Sequence, residues 1–238
     1  RTFKSETISL YYSSLFEDEM LERVMQSSTE STYDLEKLSK LELPYLIGNM
    51  HMSLLPRPGR VSLQVLDKET RRRGFVKRNM QLRDFSTPEL CLSDIQFCQL
   101  VEDLLYSHFV PVRNISGLSV IPYPYENIKK SEQLFCYFEI YNIKTGGIQS
   151  QYEISIEVAT AQHQAGLLEK AVRVFRKSPE NSISINHTRD VVENDSQELM
   201  GIDFSNLIKG NYTLTIKVMG IDDQSISSEV TRNLMIQD

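Results

Sequence analysis

Residues 133–142 and 151–159 alternate along the chain with a period of two. In the first run Leu134, Cys136, Phe138 and Ile140 share one parity. In the second, Tyr152, Ile154, Ile156 and Val158 do so, opposite Gln151, Glu153, Ser155 and Glu157. Successive side chains of an extended backbone point to opposite sides, so each run predicts a strand with one buried face. Lys144-Thr145-Gly146-Gly147 lies between them, and its glycines supply the positive φ of a tight reversal. The expectation is a hairpin at the centre of an all-β domain.

A second pattern concerns how many such domains there are. After the turn signal Pro56-Arg57-Pro58-Gly59, Val61, Leu63 and Val65 alternate with Ser62 and Gln64. A charged turn follows, and then a run from Val76 to Asp84. The end of the chain repeats the arrangement. Gly210 precedes Tyr212, Leu214, Ile216 and Val218, and a polar turn leads to a run from Val230 to Asp238. The two closing runs share Val, Arg, Asn and Asp at matching places. This internal repeat of a terminal hairpin predicts two copies of one domain type, residues 1–86 and 87–238. Ser86-Thr87-Pro88 breaks the chain between them.

The predicted fold is therefore all-β: two tandem antiparallel β-sandwiches of immunoglobulin or fibronectin-III type. The first is shorter, either partial or carrying helical material. In it, residues 7–13 predict a strand. Residues 17–41 carry helically spaced Met20, Leu21 and Val24 and then Leu35, Leu38 and Leu41, interrupted by a Ser/Thr stretch. They read as irregular or partly helical. In the second, strands are predicted at 90–95, 118–121, 134–142, 151–159, 171–176, 182–186, 212–219 and 230–236. Residues 96–108 have the spacing of a short helix or a meandering edge. Pro122-Tyr123-Pro124-Tyr125 is a rigid loop.

Composition bounds the function classes. Of 238 residues, 24% are charged and 40% hydrophobic, a globular balance. The charge is uneven: residues 1–84 hold 14 Lys and Arg against 12 Asp and Glu, and residues 85–238 hold 12 against 20. An acidic second part argues against nucleic acid as a partner, because phosphate neutralisation needs clustered cations. No apolar run reaches the length of a membrane-spanning helix. Cys91, Cys98 and Cys136 are odd in number and lack zinc-ligand spacing, so they read as small buried hydrophobes. A Cys91–Cys98 bridge stays open. His51, His108, His163 and His187 are scattered and follow no metal-binding or catalytic spacing, and no GxSxG elbow is present. No cofactor and no catalytic residue is predicted.

Three runs carry a resemblance: Leu90-Cys91-Leu92-Ser93-Asp94-Ile95, Pro122-Tyr123-Pro124-Tyr125-Glu126-Asn127 and Tyr137-Phe138-Glu139-Ile140-Tyr141-Asn142-Ile143. With the closing hairpin they resemble the β-sandwich region of bacterial GWxTD-domain proteins. The chain has no Trp, so the GWxTD motif itself is missing. The resemblance implies a bacterial cell-envelope location, periplasmic or surface-exposed, and brings no catalytic residue.

Two groups of residues are candidates for binding. Tyr137, Glu139 and Tyr141 share the outward parity of one strand, and Tyr123 and Tyr125 of the proline loop can join them. Such a face suits a peptide or a sugar, because Tyr offers area and a hydroxyl at low entropic cost. Packing of that face under a loop is the simpler reading. Arg71, Arg72 and Arg73 occupy a hairpin turn and suit an acidic partner, including another copy of the chain. Ser93 and Asp94 read as organisers of the domain entrance. The leading function is a non-enzymatic scaffold or docking module that binds other subunits or copies of itself. A carbohydrate- or peptide-binding module and an accessory region of a larger enzyme are the alternatives.

Overall fold

The computed structural model describes residues 7–39, 46–48, 50–101, 112–115, 117–160 and 182–238. Nearly all regular structure in it is strand. Two compact units emerge: Arg1–Ser86 with Val101–Val112, and Thr87–Leu100 with Arg113–Asp238.

The first unit is built on β1 (Thr7–Asp18), β2 (Arg23–Asp34), β3 (Pro58–Asp67) and β4 (Arg73–Gln81), with a short α1 (Leu35–Ser39) after β2. They form one antiparallel sheet in the order β2-β1-β3-β4. Residues 23–34, read from sequence as irregular or partly helical, are a twelve-residue strand. The turn into it depends on Asp18, whose Oδ1 accepts from the amides of Met20 and Glu22, with Leu21 at φ 63°. Tyr12 and Phe16 on β1 and Tyr33 on β2 are buried, and the Tyr12 and Tyr33 hydroxyls meet at 3.0 Å. Register places Val61, Leu63 and Val65 of β3 beside Phe16, Ser14 and Tyr12, so the apolar alternation of β3 shares their face.

The second unit is a two-sheet sandwich. One sheet runs β13-β10-β6-β8-β7, with β5 also pairing β10; the other runs β12-β11-β14-β15-β9. The strands are β5 (Cys91–Leu92), β6 (Gln96–Leu100), β7 (Arg113–Ile115), β8 (Leu118–Pro122), β9 (Asn127–Lys129), β10 (Leu134–Tyr141), β11 (Gln151–Thr160), β12 (Ile183–Asp190), β13 (Ser196–Ile202), β14 (Gly210–Gly220) and β15 (Ser227–Gln237). All pairings are antiparallel except β9 with β15. Leu134, Cys136, Phe138 and Ile140 face Tyr152, Ile154, Ile156 and Val158 in one continuous core, joined by Tyr212, Leu214, Ile216 and Val218. The parity read from the sequence holds at each of these positions.

The connection between β10 and β11 does not form a hairpin. The two strands belong to opposite sheets, and the chain crosses the sandwich between them. Asn142 enters the crossing at φ 63° and Gly147 leaves it at φ 107°. Each strand has one apolar face, and stacking face to face buries both as well as edge pairing would. Residues 96–100, expected to be helical or a meandering edge, form β6. Its Phe97 enters the inter-sheet core while Cys98 packs on the other side of the sheet. The expected strand at 171–176 lies outside the described residues.

The two closing hairpins, β3–β4 and β14–β15, are both antiparallel, with their registers two residues apart. Val76 faces Leu63, whereas Val230 faces Ile216 rather than Leu214. A shift of two keeps every side chain on its face.

Candidate interaction surface

Tyr137, Glu139 and Tyr141 stand together on the outer face of β10, as their parity requires. Both phenols donate to the carboxylate, Tyr137 to Oε1 and Tyr141 to Oε2 of Glu139. Tyr137 is only 6% exposed and packs with Cys98, Ile115 and Val120, and the Arg113 guanidinium lies 5.4 Å from its ring centroid. Burial first, and then the bond to Glu139, pushes both phenol pKa values above the usual tyrosine range. Both carboxylate oxygens already accept from a phenol within the chain, so the cluster reads as a closed structural motif.

Tyr123 does not join this group. It belongs to the inter-sheet core, and its hydroxyl donates to the Asn127 carbonyl at 2.8 Å. Tyr125, 41% exposed, lies edge-on to Tyr123 at 5.4 Å between centroids. The expected five-residue binding face is thus corrected. A strand shows alternate residues to opposite faces, whereas the proline loop turns Tyr123 into the core. Ser93 does serve the domain entrance: its Oγ accepts from the Glu139 amide and its own amide donates to the Glu139 carbonyl.

A group that parity arguments missed lies on the strand next to β10, at the β12–β13 edge of the sandwich. Glu198 occupies an inward position of β13, and its side chain is 8% exposed. Its oxygens take bonds from Ser196 Oγ at 2.8 Å, from Tyr152 Oη at 3.3 Å and from Arg189 Nη2 at 3.5 Å. Arg189 comes from β12 of the other sheet, where it pairs with Tyr152. These groups line a pocket of about 320 Å³ together with Ile143, Val192 and the carboxylates of Asp190, Glu193 and Asp195. The carboxylate is satisfied within the chain and clasps one edge of the sandwich. The signal for it was Glu198-x-Met200-x-Ile202, an acid on the apolar parity. Among the described residues, no group of three or more His, Cys, Asp or Glu side chains is placed to hold a metal ion.

Cys91, Cys98 and Cys136 are thiols outside any disulfide. Cys91 pairs with Tyr141 and Cys98 with Phe135, six residues apart along β10. At about 3.3 Å per residue that is roughly 20 Å, far beyond disulfide reach.

Arg71, Arg72 and Arg73 lie at the tip of β3–β4 and are exposed. Asp67 shapes that tip: its carboxylate accepts from the Thr70 hydroxyl and from the amides of Thr70 and Glu69. These bonds, the Thr70 hydroxyl foremost, hold the Asp67 carboxyl below the usual range. Arg71 takes φ 61° to close the turn. Beyond it, all nine residues of β4 are exposed, and among the described strands β4 pairs with β3 alone. Phe75 is 61% exposed, with Lys77 Nζ 5.2 Å from its ring centroid. Val76 and Met80, also exposed, continue the apolar stripe of Leu63 and Val65 on the other face.

No family model matches the chain, and no curated protein matches it. Among solved structures, a calcium-binding mutant of Bacteroides uniformis beta-glucuronidase 2 is similar at a TM-score of 0.26 and 7% identity. That match covers 96% of this chain and 24% of the other, so the chain spans about a quarter of that protein's length.

Proposed function

We propose that this chain is a non-enzymatic β-rich scaffold or docking module in a bacterial cell-envelope assembly, and that it docks through strand β4. The envelope setting follows the resemblance carried by residues 90–95, 122–127 and 137–143. The observation that carries the docking role is a strand nine residues long that is exposed from end to end. Natural sheets shorten, bulge or cover such edges, because unpaired amides and carbonyls template further pairing. Here the edge is long, unbulged against β3, and bears an exposed Phe75. Exposed apolar side chains gathered on one strand mark a contact surface.

The test is site-specific photo-crosslinking in the native host. A benzoylphenylalanine replacing Phe75 is expected to give a discrete adduct, identified by mass spectrometry. The same probe at Glu229, an exposed position on β15, is expected to give none. Equal labelling at both positions, or none at Phe75, would overturn the reading.

A further inference from the structure

We infer that the occupant of β4 is an extended acidic strand, with acidic side chains on one face and apolar ones on the other. The inference rests on reading β4 as a docking edge and adds the chemistry of what docks there. Residues 71–83 contain six Arg and Lys and no Asp or Glu. Arg73, Phe75 and Lys77 share one face with Leu66, Gln64 and Ser62 of β3; Val76, Arg78 and Met80 share the other with Leu63, Val61 and Gly59. A strand added to the edge places its side chains in line with these rows. On the first face it meets two cations flanking a ring, which suits carboxylates. On the second it meets Val76 and Met80, with Arg78 between them and Leu63 behind, which suits aliphatic side chains and leaves one further cation for an acid.

The same charges weigh against the most obvious alternative, a second β4, in the register that matches Phe75 to its copy. Antiparallel pairing of two copies centred on Phe75 would set Arg73 against Lys77 and Arg72 against Arg78. Like charges directly opposite one another are destabilising. Cations on an edge therefore reject a basic partner and admit an acidic one, a rejecting element that specificity requires as much as an attracting one. A nucleic acid would also answer the charge. It would leave the backbone edge that no described strand pairs, and the Val76–Met80 stripe, unused, and the chain as a whole carries a net charge of −6.

The experiment uses the full chain and four labelled probes in fluorescence anisotropy at low and high salt. The probes are a peptide of Val-Glu repeats, the matching Val-Ser and Val-Lys peptides, and a single-stranded DNA oligonucleotide. The Val-Glu peptide is expected to bind about tenfold tighter than Val-Ser, with the preference fading as salt rises. Val-Lys is expected not to bind. Binding should slow amide exchange along β4, and the paired change Arg73→Ser with Lys77→Ser should reduce Val-Glu to the level of Val-Ser. Equal binding of Val-Ser would overturn the acidic partner while leaving β4 as a docking edge. Tighter binding of the oligonucleotide would overturn it in favour of nucleic acid. If no peptide binds and exchange at β4 is unchanged, strand addition itself is wrong, and the crosslinking result at Phe75 then stands or falls independently.

Discussion

The Arg232 guanidinium lies over the Phe97 ring, 4.5 Å from its centroid, and its Nη1 donates to the Ile95 carbonyl at 2.8 Å. Arg232 stands opposite Leu214 on the inward face of β15, and Phe97 comes from the facing sheet. One cation thus links the two layers at the β15 edge. Burial lowers its pKa, yet it keeps its charge at any ordinary pH. Arg232→Ala removes a stacked cation and a charged hydrogen bond to a carbonyl. It is expected to destabilise the second unit by about 2–3 kcal/mol. Arg232→Lys keeps the charge without the planar stack and should fall between. Hydrogen exchange at the β14 amides reads the loss, and unchanged protection in Arg232→Ala would refute the linkage.

The three thiols should separate by reactivity. Burial pushes Cys98 up to about 11, and Cys136, inside the core, is raised further. Cys91 is partly exposed. In a native thiol titration one fast equivalent is expected, absent in Cys91→Ser, and the other two should appear only on unfolding. A reductant should leave the unfolding curve in place, and a shift on reduction would mean a disulfide exists.

Alkaline stability follows from the phenols of Tyr137 and Tyr141. Their folded pKa values lie above the unfolded value of about 10. The folded state therefore binds these protons more tightly. Their contribution is complete below pH about 10 and is lost as pH rises toward the folded values. Glu139→Gln removes the anion that holds them neutral, so tyrosinate absorbance should begin to rise at lower pH in that variant. An unchanged absorbance titration would show that the carboxylate does not hold the phenols.

Gly59 tests the packing of the first unit. A Cβ there would lie 2.4 Å from Phe16 Cζ and 2.5 Å from the Glu17 carbonyl oxygen, and backbone cannot yield as a flexible side chain can. Gly59→Ala is expected to cost about 2–4 kcal/mol in that unit and nothing in the second. Gly74 on β4 has open space around it, and Gly74→Ala should be neutral or slightly stabilising. Limited proteolysis resolved by fragment separates the two outcomes, and equal resistance of both variants would sink the argument.

What could be read from the sequence was what one buried face imposes. β10, β11 and β14 each turn one side to the inter-sheet core, and their alternation named those residues; Tyr137, buried on the other side of β10 against Cys98, Ile115 and Val120, was not among them. β2 escaped because this edge strand buries little beyond Tyr33, and its Ser/Thr run resembles a loop. β6 escaped because it is covered on both sides, so Phe97 and Cys98 are both buried and the alternation disappears. β13 was hidden by Glu198, whose charge on the inward parity is tolerated only through Arg189, Tyr152 and Ser196, all distant or unremarkable in sequence. The glycines at 146 and 147 showed that the chain reverses. They could not show whether the returning strand would pair or cross, because that choice depends on partners that come much later in the chain.

The sandwich crossing after Asn142 also orders events on the ribosome. β10 and β11 are adjacent in sequence but cannot complete each other. β10 finds β5 and β6 behind it but waits for Ser196–Ile202 on its other side, about sixty residues on, and β11 waits for Ile183–Asp190 and Gly210–Gly220, about thirty and sixty residues on. Closure of such distant pairings is slow. During synthesis β11 therefore emerges before both of its partners, and β10 before its partner β13. Until those partners arrive their apolar faces lie open, and that interval is when the nascent chain is most prone to aggregate.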